Sequence, residues 1–336
     1  VVDPSAAPPV PVIDAAAATR TTPQLVEYAG MLAVVVVLVG LFSVLSGHFF
    51  SRVTFTTLAN QIPALTVIAV GMTLVLIVAG IDLSVGSVMA LGAAVLAVAR
   101  VEWQLPLAVA TALCLGVGLL AGAANGFISV RWRIPSFIVT LGMLEIARGG
   151  AYLVTESRSV FVGAAMGGVG IPLPGLGLSP AFIVAVMVVA AAQALLSRTV
   201  FGRYIVAIGT NAEAVRLSGI DPRPVVVGVF TLAGLLAGLA GVFQVAYLES
   251  ADPNAGIGME LSAIAAVVIG GTSLMGGRGS VISSFLGVLI ISVLQTGLAQ
   301  IGATEPTKRI VTGAVIVAAV ILDAYRRRLG SRGKED

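Results

Sequence analysis

The sequence predicts an all-α fold: a polytopic helical membrane protein with about ten transmembrane segments, including two hairpins interrupted by glycine. Three observations carry that prediction. Hydrophobic residues make up 58% of the 336 and charged residues only 10%, against roughly 25% charged in a soluble domain. The apolar residues collect into runs, several of them shorter than the ~20 residues a straight span needs. Glycine is abundant, at 40 residues, while aromatics are 6%, which favours closely packed helices over bulky, independent spans.

Taken in order, residues 1–24 are rich in Ala and Pro and lack a basic region leading into an apolar run. They read as a disordered cytoplasmic tail, not a secretory signal. The run 29–45 is followed by further spans without a small-residue cleavage pattern and is expected to stay as an anchor. The apolar segments fall at 29–47, 61–79, 85–99, 106–130, 135–154, 180–197, 225–246, 260–270, 281–300 and 309–325. Only Gly80-Ile81-Asp82-Leu83-Ser84 separates the second from the third, and only residues 271–280, GTSLMGGRGS, separate the eighth from the ninth. Short segments broken at glycine are the sign of broken or re-entrant helices lining a path. Gly80, Asp82, Ser84, Gly86, Gly276 and Gly277, with Asn125 on the fourth segment, are therefore candidate path-lining or moving residues.

Lys and Arg set the orientation. If all ten segments cross and the amino terminus is cytoplasmic, 13 basic residues lie inside and 6 outside, the direction the positive-inside rule requires. Both termini and the stretch 198–223 are then cytoplasmic, and the Gly/Pro-rich loop 156–179 faces outward. One transmembrane domain, 25–328, holds the cytoplasmic loop 198–224 and is followed by a cytoplasmic tail, 329–336.

Segments four and seven share the string GLLAG, at 118–122 and 234–238. Gly118, Gly122 and Gly126 fall four apart on one helix face, as do Gly234 and Gly238, so both helices are expected at close helix–helix contacts.

The stretch 198–223, RTVFGRYIVAIGTNAEAVRLSGIDPR, is the most strongly charged break between apolar runs. Thr210 to Glu213 has the T-x-x-E form of a capping box, with the Thr210 hydroxyl on the Glu213 amide and the Glu213 carboxylate returning to the cap. Gly219 suits the left-handed residue that closes a helix, and Pro222 and Pro224 prevent its resumption. The expectation is a helix of about two turns that forms against something else, being too short to stand alone; an ordinary surface turn is the alternative.

Several chemistries are excluded. A phosphate-binding loop G-x-x-x-x-G-K-[ST] needs a lysine, and neither Lys308 nor Lys334 has that context. One histidine, His48, at a span end offers no metal cluster and no catalytic triad. The chain is thus expected to be no enzyme and to bind no metal or cofactor itself. Cys114 lies alone in an apolar run, so there is no disulfide framework. Glu145 and Arg148, three apart on one face, are expected to pair. Asp82 is either a helix cap or a group on a transport path, and in the second case a proton-coupling site. Asn125, Gln193, Gln244 and Gln295 either bond to a hydroxylated solute or join helices.

Three strings are familiar. Residues 69–87, AVGMTLVLIVAGIDLSVGS, closely resemble the permease subunits of bacterial ABC importers for monosaccharides, the ribose and xylose permease family. So do Phe201-Gly202-Arg203-Tyr204 through Leu217-Ser218-Gly219-Ile220, and residues 263–277 with Ile269-Gly270-Gly271-Thr272-Ser273-Leu274. The resemblance covers about residues 30–325. It implies a second permease subunit (homodimer or heterodimer), cytoplasmic ABC ATPase subunits that hold ATP and Mg, an extracytoplasmic sugar-binding protein, and a place in the bacterial plasma membrane. It also implies that the charged loop is a coupling helix of pattern E-A-A-x-x-x-G docking on the ATPase. Glu213, Ala214 and Gly219 keep that spacing, Val215 departs from it, and Gly202 and Arg216 complete the expected contact set. The implied function is ATP-driven import of a ribose-like monosaccharide; the alternative is a proton-coupled secondary transporter using Asp82.

Overall fold

A computed structural model describes residues 21–332 and shows a helical bundle. Most of the stretch read as an amino-terminal tail, and residues 333–336 of the carboxy-terminal one, lie outside the described residues; α1 (Thr21–Leu45) begins inside the first, and α13 (Glu305–Arg332) runs into the second.

Among the described residues, six helices are long and apolar enough to cross a bilayer. These are α1 (from Glu27), α5 (Leu107–Trp132), α6 (Ser136–Val154), α8 (Pro180–Arg198), α10 (Arg223–Leu248) and α12 (Val281–Gln300). A seventh is the pair α2 (Arg52–Gln61) and α3 (Pro63–Ile77), bent by 47°. Pro63, in the first turn of α3, supplies no amide and clashes with a continuing helix, so the chain bends there. The helix α2 is an addition to the sequence reading, which began this segment at residue 61. Ser51 caps it by accepting the Thr54 amide at 3.2 Å. Asn60 ties it to the loop before α8, donating to Gly177 O (3.1 Å) and accepting from Ser179 N (2.7 Å).

Two apolar helices are too short to span: α4 (Val85–Val101) and α11 (Met259–Ile269). They flank the two breaks foreseen from glycine. At 1.5 Å per residue, α3, α4 and α11 reach only about 22, 25 and 16 Å, short of the ~30 Å hydrocarbon core.

All fifteen residues of α3 are buried, as a helix apolar all round requires. Around it pack α8, α9 (Val200–Leu217), α10, α11 and α12. The twin GLLAG strings turn out to face each other. A methyl at Gly118 would overlap the Gly234 carbonyl oxygen, and one at Gly122 would overlap that of Phe230. In the other direction, a methyl at Gly234 would lie 2.7 Å from Gly122 Cα. The axes of α5 and α10 approach this closely only because neither face carries side chains there.

At the far end of α10 a two-residue strand β2 (Ser250–Ala251) pairs antiparallel with β1 (Val160–Phe161), the latter followed by the short helix α7 (Gly167–Gly170). Beyond β2 the chain returns into the bundle through residues 252–258, and Gly86 at the start of α4 abuts Gly256 and the Glu260 carboxylate. Arg148 holds this return: its Nη1 donates to Pro253 O at 2.9 Å and Ala255 O at 3.0 Å. The expected Glu145–Arg148 pair is therefore absent. Unsatisfied carbonyls within reach of the guanidinium claim its donors, and Glu145 is left exposed at the middle of α6.

Candidate functional site

The loop foreseen at 198–224 is mostly helix. Thr199 caps α9, accepting the Gly202 amide at 3.1 Å. A methyl at Gly202 would overlap the Leu195 and Leu196 carbonyl oxygens, so the α8–α9 corner needs a residue without a side chain. Gly202 is buried there. The apolar residues Ile205 and Ile208 anchor this helix in the cluster formed with Leu196, Val225 and Val229.

At Asn211 the helix breaks, with φ −162° and ψ 95°. Asn211 Oδ1 accepts the Ala214 amide at 2.9 Å, so Asn211 caps the last six residues, 212–217. The capping box expected at Thr210 is displaced by one residue. Thr210 remains the last residue of the preceding turn, its hydroxyl donating to Val206 O at 2.8 Å, and a cap must be extended. Glu213 likewise does not return to the cap amide; it forms a two-pronged pair with Arg216, at 2.6 and 3.1 Å. That hydrogen bond and charge hold the Glu213 carboxyl below its ordinary value and raise the Arg216 guanidinium. The other end closes as expected: Gly219 has φ +87°, its amide meets Arg216 O at 3.0 Å, and Ile220 N reaches Val215 O at 3.3 Å.

The two faces of this short helix differ. Val215, the departure from E-A-A-x-x-x-G, is 8% exposed and packs inward. Glu213, Ala214, Arg216 and Gly219 are exposed, as is Leu217 at 78%. The departure thus lies on the face turned to the bundle. Sequence reasoning passed over Leu217, whose signal was an apolar residue on a charged helix.

Just ahead of the kink, α9 meets both breaks at once. A methyl at Gly209 would overlap the Ile77 carbonyl oxygen and lie 2.7 Å from Gly277 N. Gly277 N donates to Ile77 O at 2.8 Å, joining the second break to the first. Gly276 (φ +86°) packs on Ala79 and the Gly209 carbonyl, and Gly277 (φ +73°) on Thr210. Both positive φ values and both close approaches call for glycine. Gly209 itself went unmarked in the sequence, being one small residue within an apolar helix.

The first break is held from outside itself. Ala79 adopts φ +64° and Gly80 N closes on Val75 O at 2.8 Å. Ser136 and Thr140, one turn apart on α6, accept the otherwise unpaired amides of Ile81 (2.9 Å) and Leu83 (3.1 Å). The expected cap on α4 is not made: the N-cap residue is Ser84, and no side chain accepts an amide of the first turn. Asp82 instead bridges within the break, its Oδ1 accepting the Ser84 amide (2.9 Å) and hydroxyl (2.6 Å), and Asn125 Nδ2 donates to the same hydroxyl at 3.0 Å. All three side chains are buried. Of the remaining amides, Gln193 joins helices. Its Oε1 accepts Val281 N at 2.9 Å and the Ser280 hydroxyl at 3.3 Å, capping α12, while Tyr28 of α1 bonds Ser280 at 3.0 Å. Gln244 and Gln295 instead line a cavity at the opposite end of the bundle. His48 is exposed in the turn after α1 and Cys114 is buried. No group of three or more His, Cys, Asp and Glu able to hold a metal occurs among the described residues.

A family model described as branched-chain amino acid transport system / permease component matches residues 54–320. The chain is 41% identical over 310 residues to the ribose import permease protein RbsC of Escherichia coli (strain K12), covering 90% of this chain and 95% of that one. It is 37% identical over 296 residues to the RbsC of Bacillus subtilis (strain 168), covering 85% and 89%. To the fructose import permease protein FrcC of Rhizobium meliloti it is 32% identical over 309 residues, covering 90% and 86%. No solved structure matches the chain. The proton-coupled alternative finds no support among these relatives, which are named import permeases.

Proposed function

This chain belongs to the permease-component family, and on that premise we propose that it is the membrane subunit of an ABC importer that carries a monosaccharide across the bacterial plasma membrane. The chain is a permease and not an enzyme: its relatives are import permeases, and its own sequence holds no P-loop lysine. ATP and Mg reside on separate cytoplasmic ATPase subunits, and an extracytoplasmic binding protein delivers the sugar. The names of the relatives, for ribose and fructose, support the solute class.

The observation that carries the mechanism is the meeting of Gly209 and Thr210 with Ile77, Ala79, Gly276 and Gly277. One rigid corner touches both helix breaks, and the exposed face of Glu213, Ala214, Arg216 and Leu217 lies within about two turns beyond it. An ATPase that docks on that face and moves it transmits the displacement directly to both breaks. Coupling then requires ATPase closure to favour one permease state by a real free-energy difference. In this reading the ten apolar segments all lie in the membrane, four of them as two broken hairpins, with both termini and α9 cytoplasmic. The 13-to-6 distribution of Lys and Arg supports that orientation.

A second permease subunit completes the assembly. Glu145 supports it: a carboxylate exposed at mid-span is costly against lipid, and Gly142 and Gly149 beside it have nothing within 4 Å, leaving room for another helix.

The test is uptake of labelled monosaccharide by proteoliposomes with and without the ATPase. Uptake is expected only with the ATPase and ATP; uptake that survives removal of the ATPase and collapses with an uncoupler overturns the reading.

A further inference from the structure

We propose that the cavity at the end of the bundle opposite α9 is a binding site on this chain for a neutral, polyhydroxylated solute, held by Gln244, Gln295, Ser292 and Thr312. The proposal rests on the importer reading above and adds the place and chemistry of the solute site. The cavity measures about 830 Å³, within the roughly 300–1,000 Å³ of small-molecule sites. Its wall comes from the first turn of α3, the last turns of α10 and α12, and the starts of α11 and α13.

Unused hydrogen-bonding capacity in the wall points to a ligand. The Thr312 hydroxyl is buried without a partner. Ser292 is 9% exposed, and it, Gln61, Gln244 and Gln295 make no hydrogen bond to another described residue. Polar side chains in a helical membrane bundle normally bond to a neighbouring helix, as Gln193 does, because nothing in lipid replaces the lost water. Carboxamides left open around a cavity therefore await a partner from within it. Each offers donors and an acceptor together, as do hydroxyls, which matches the alternating donor and acceptor needs of a sugar.

The ionised groups of the wall are confined to one place. Glu305, Lys308 and Arg309 sit together at the start of α13, and Glu305 pairs with both cations, at 2.6 and 3.8 Å. The four side chains assigned to the solute are all neutral, so they suit hydroxyls more than a formal charge.

The site is mechanically connected. Gly258 and Ser262 of the cavity floor belong to the start of α11, and that same helix runs about 16 Å into the break that meets Gly209. A displacement at the α9 corner thus reaches the floor through one short helix.

The test uses the full transporter, with ATPase and binding protein, in proteoliposomes. Gln295→Cys is exposed to an impermeant thiol reagent; Cys114 is buried and gives a low background. Labelling is expected, and saturating D-ribose, D-fructose or D-galactose should slow it at least fivefold for one of the three, while ribose 5-phosphate leaves it unchanged. Absence of labelling, or labelling equally fast with every neutral sugar, overturns the proposal, and equal protection by the phosphate overturns its selection for neutral solutes. As a second variant, Gln244→Leu with Gln295→Leu should lower uptake at least tenfold; wild-type uptake in that variant also overturns it. If the sugar protects the thiol of the Gln295→Cys variant but the wild-type chain shows no ATP-dependent uptake, the importer reading fails and the site stands.

Discussion

Replacing Gly209 with alanine is the sharpest perturbation of the proposed coupling. The added methyl falls on the Ile77 carbonyl oxygen and lies 2.7 Å from Gly277 N and 2.9 Å from Ile77 C. Every one of these atoms is backbone, so no rotamer change relieves the overlap. Either α9 moves away from both breaks, or the Gly277 N–Ile77 O bond of 2.8 Å opens. Overpacking of this kind costs about 1–3 kcal/mol, which shifts the balance between engaged and separated junctions by roughly 5- to 150-fold. The exposed docking face beyond Asn211 is untouched, so the ATPase should still bind and hydrolyse ATP. The assay is sugar imported per ATP hydrolysed in proteoliposomes, and the ratio is expected to fall at least fivefold. Gly116→Ala, on an α5 face with nothing within 4 Å, serves as the control and should leave the ratio intact. Wild-type import per ATP in Gly209→Ala, with an unchanged unfolding temperature, would refute transmission through this corner.

Other outcomes follow from the same geometry. Leu217→Asp removes a side chain 78% exposed in the chain alone that a docked ATPase would cover; burial of a leucine is worth about 1.5–3 kcal/mol, so co-purification of the ATPase should weaken tenfold or more while membrane insertion is unchanged. Gln193→Leu strips the acceptor from the α12 amides Val281 and Ile282 and should destabilise the fold by about 1–3 kcal/mol, whereas Gln193→Glu keeps the acceptor and the unfolding temperature. Gly122→Val drives a branched side chain into the Phe230 carbonyl and Gly234, and the folded yield in detergent should collapse. The Glu213 carboxyl is held below its ordinary 4.5 by Arg216, so its contribution is fully present above that value and is lost only as pH falls through the depressed one. ATPase association should consequently show no step from Glu213 between about pH 5.5 and 8, measured by pull-down across that range, with Glu213→Gln as reference.

What could be read from the sequence was whatever is encoded locally. Glycine with Asp82 in an apolar run marked the first break, and GTSLMGGRGS marked the second. Gly219 announced the end of the short helix through its left-handed conformation. The twin GLLAG strings announced close packing, though not that they pack on each other, because a helix face names no partner. Cap position was legible only to within a residue: Thr210 and Asn211 are both good caps, and the choice belongs to the kink that α9 makes against Ile77 and Gly277. Glu145 and Arg148 had the spacing of a pair, but the two carbonyls that take the guanidinium lie 105 and 107 residues away. Distance along the chain likewise hid the meeting of Gly209 with both breaks and the service of Ser136 and Thr140 to the first. α2 was missed because Thr, Asn and Gln gave its ten residues no apolar signal.

The support of the first break by α6 bears on how the protein is made. Ile81 N finds its acceptor on Ser136, 55 residues later. At about 5–20 residues per second, the ribosome needs roughly 3–11 s to supply it. During that interval α3 and α4 are nascent helices too short to cross a bilayer individually, joined by a turn whose amides lack acceptors. Lipid is a poor place for such a hairpin to wait. The expectation is that the insertion machinery retains α3 and α4 until α6 emerges and releases the four helices α3 to α6 as one unit. Biogenesis of this chain is on that account expected to be stepwise in groups of helices, with the first break setting the size of the first group.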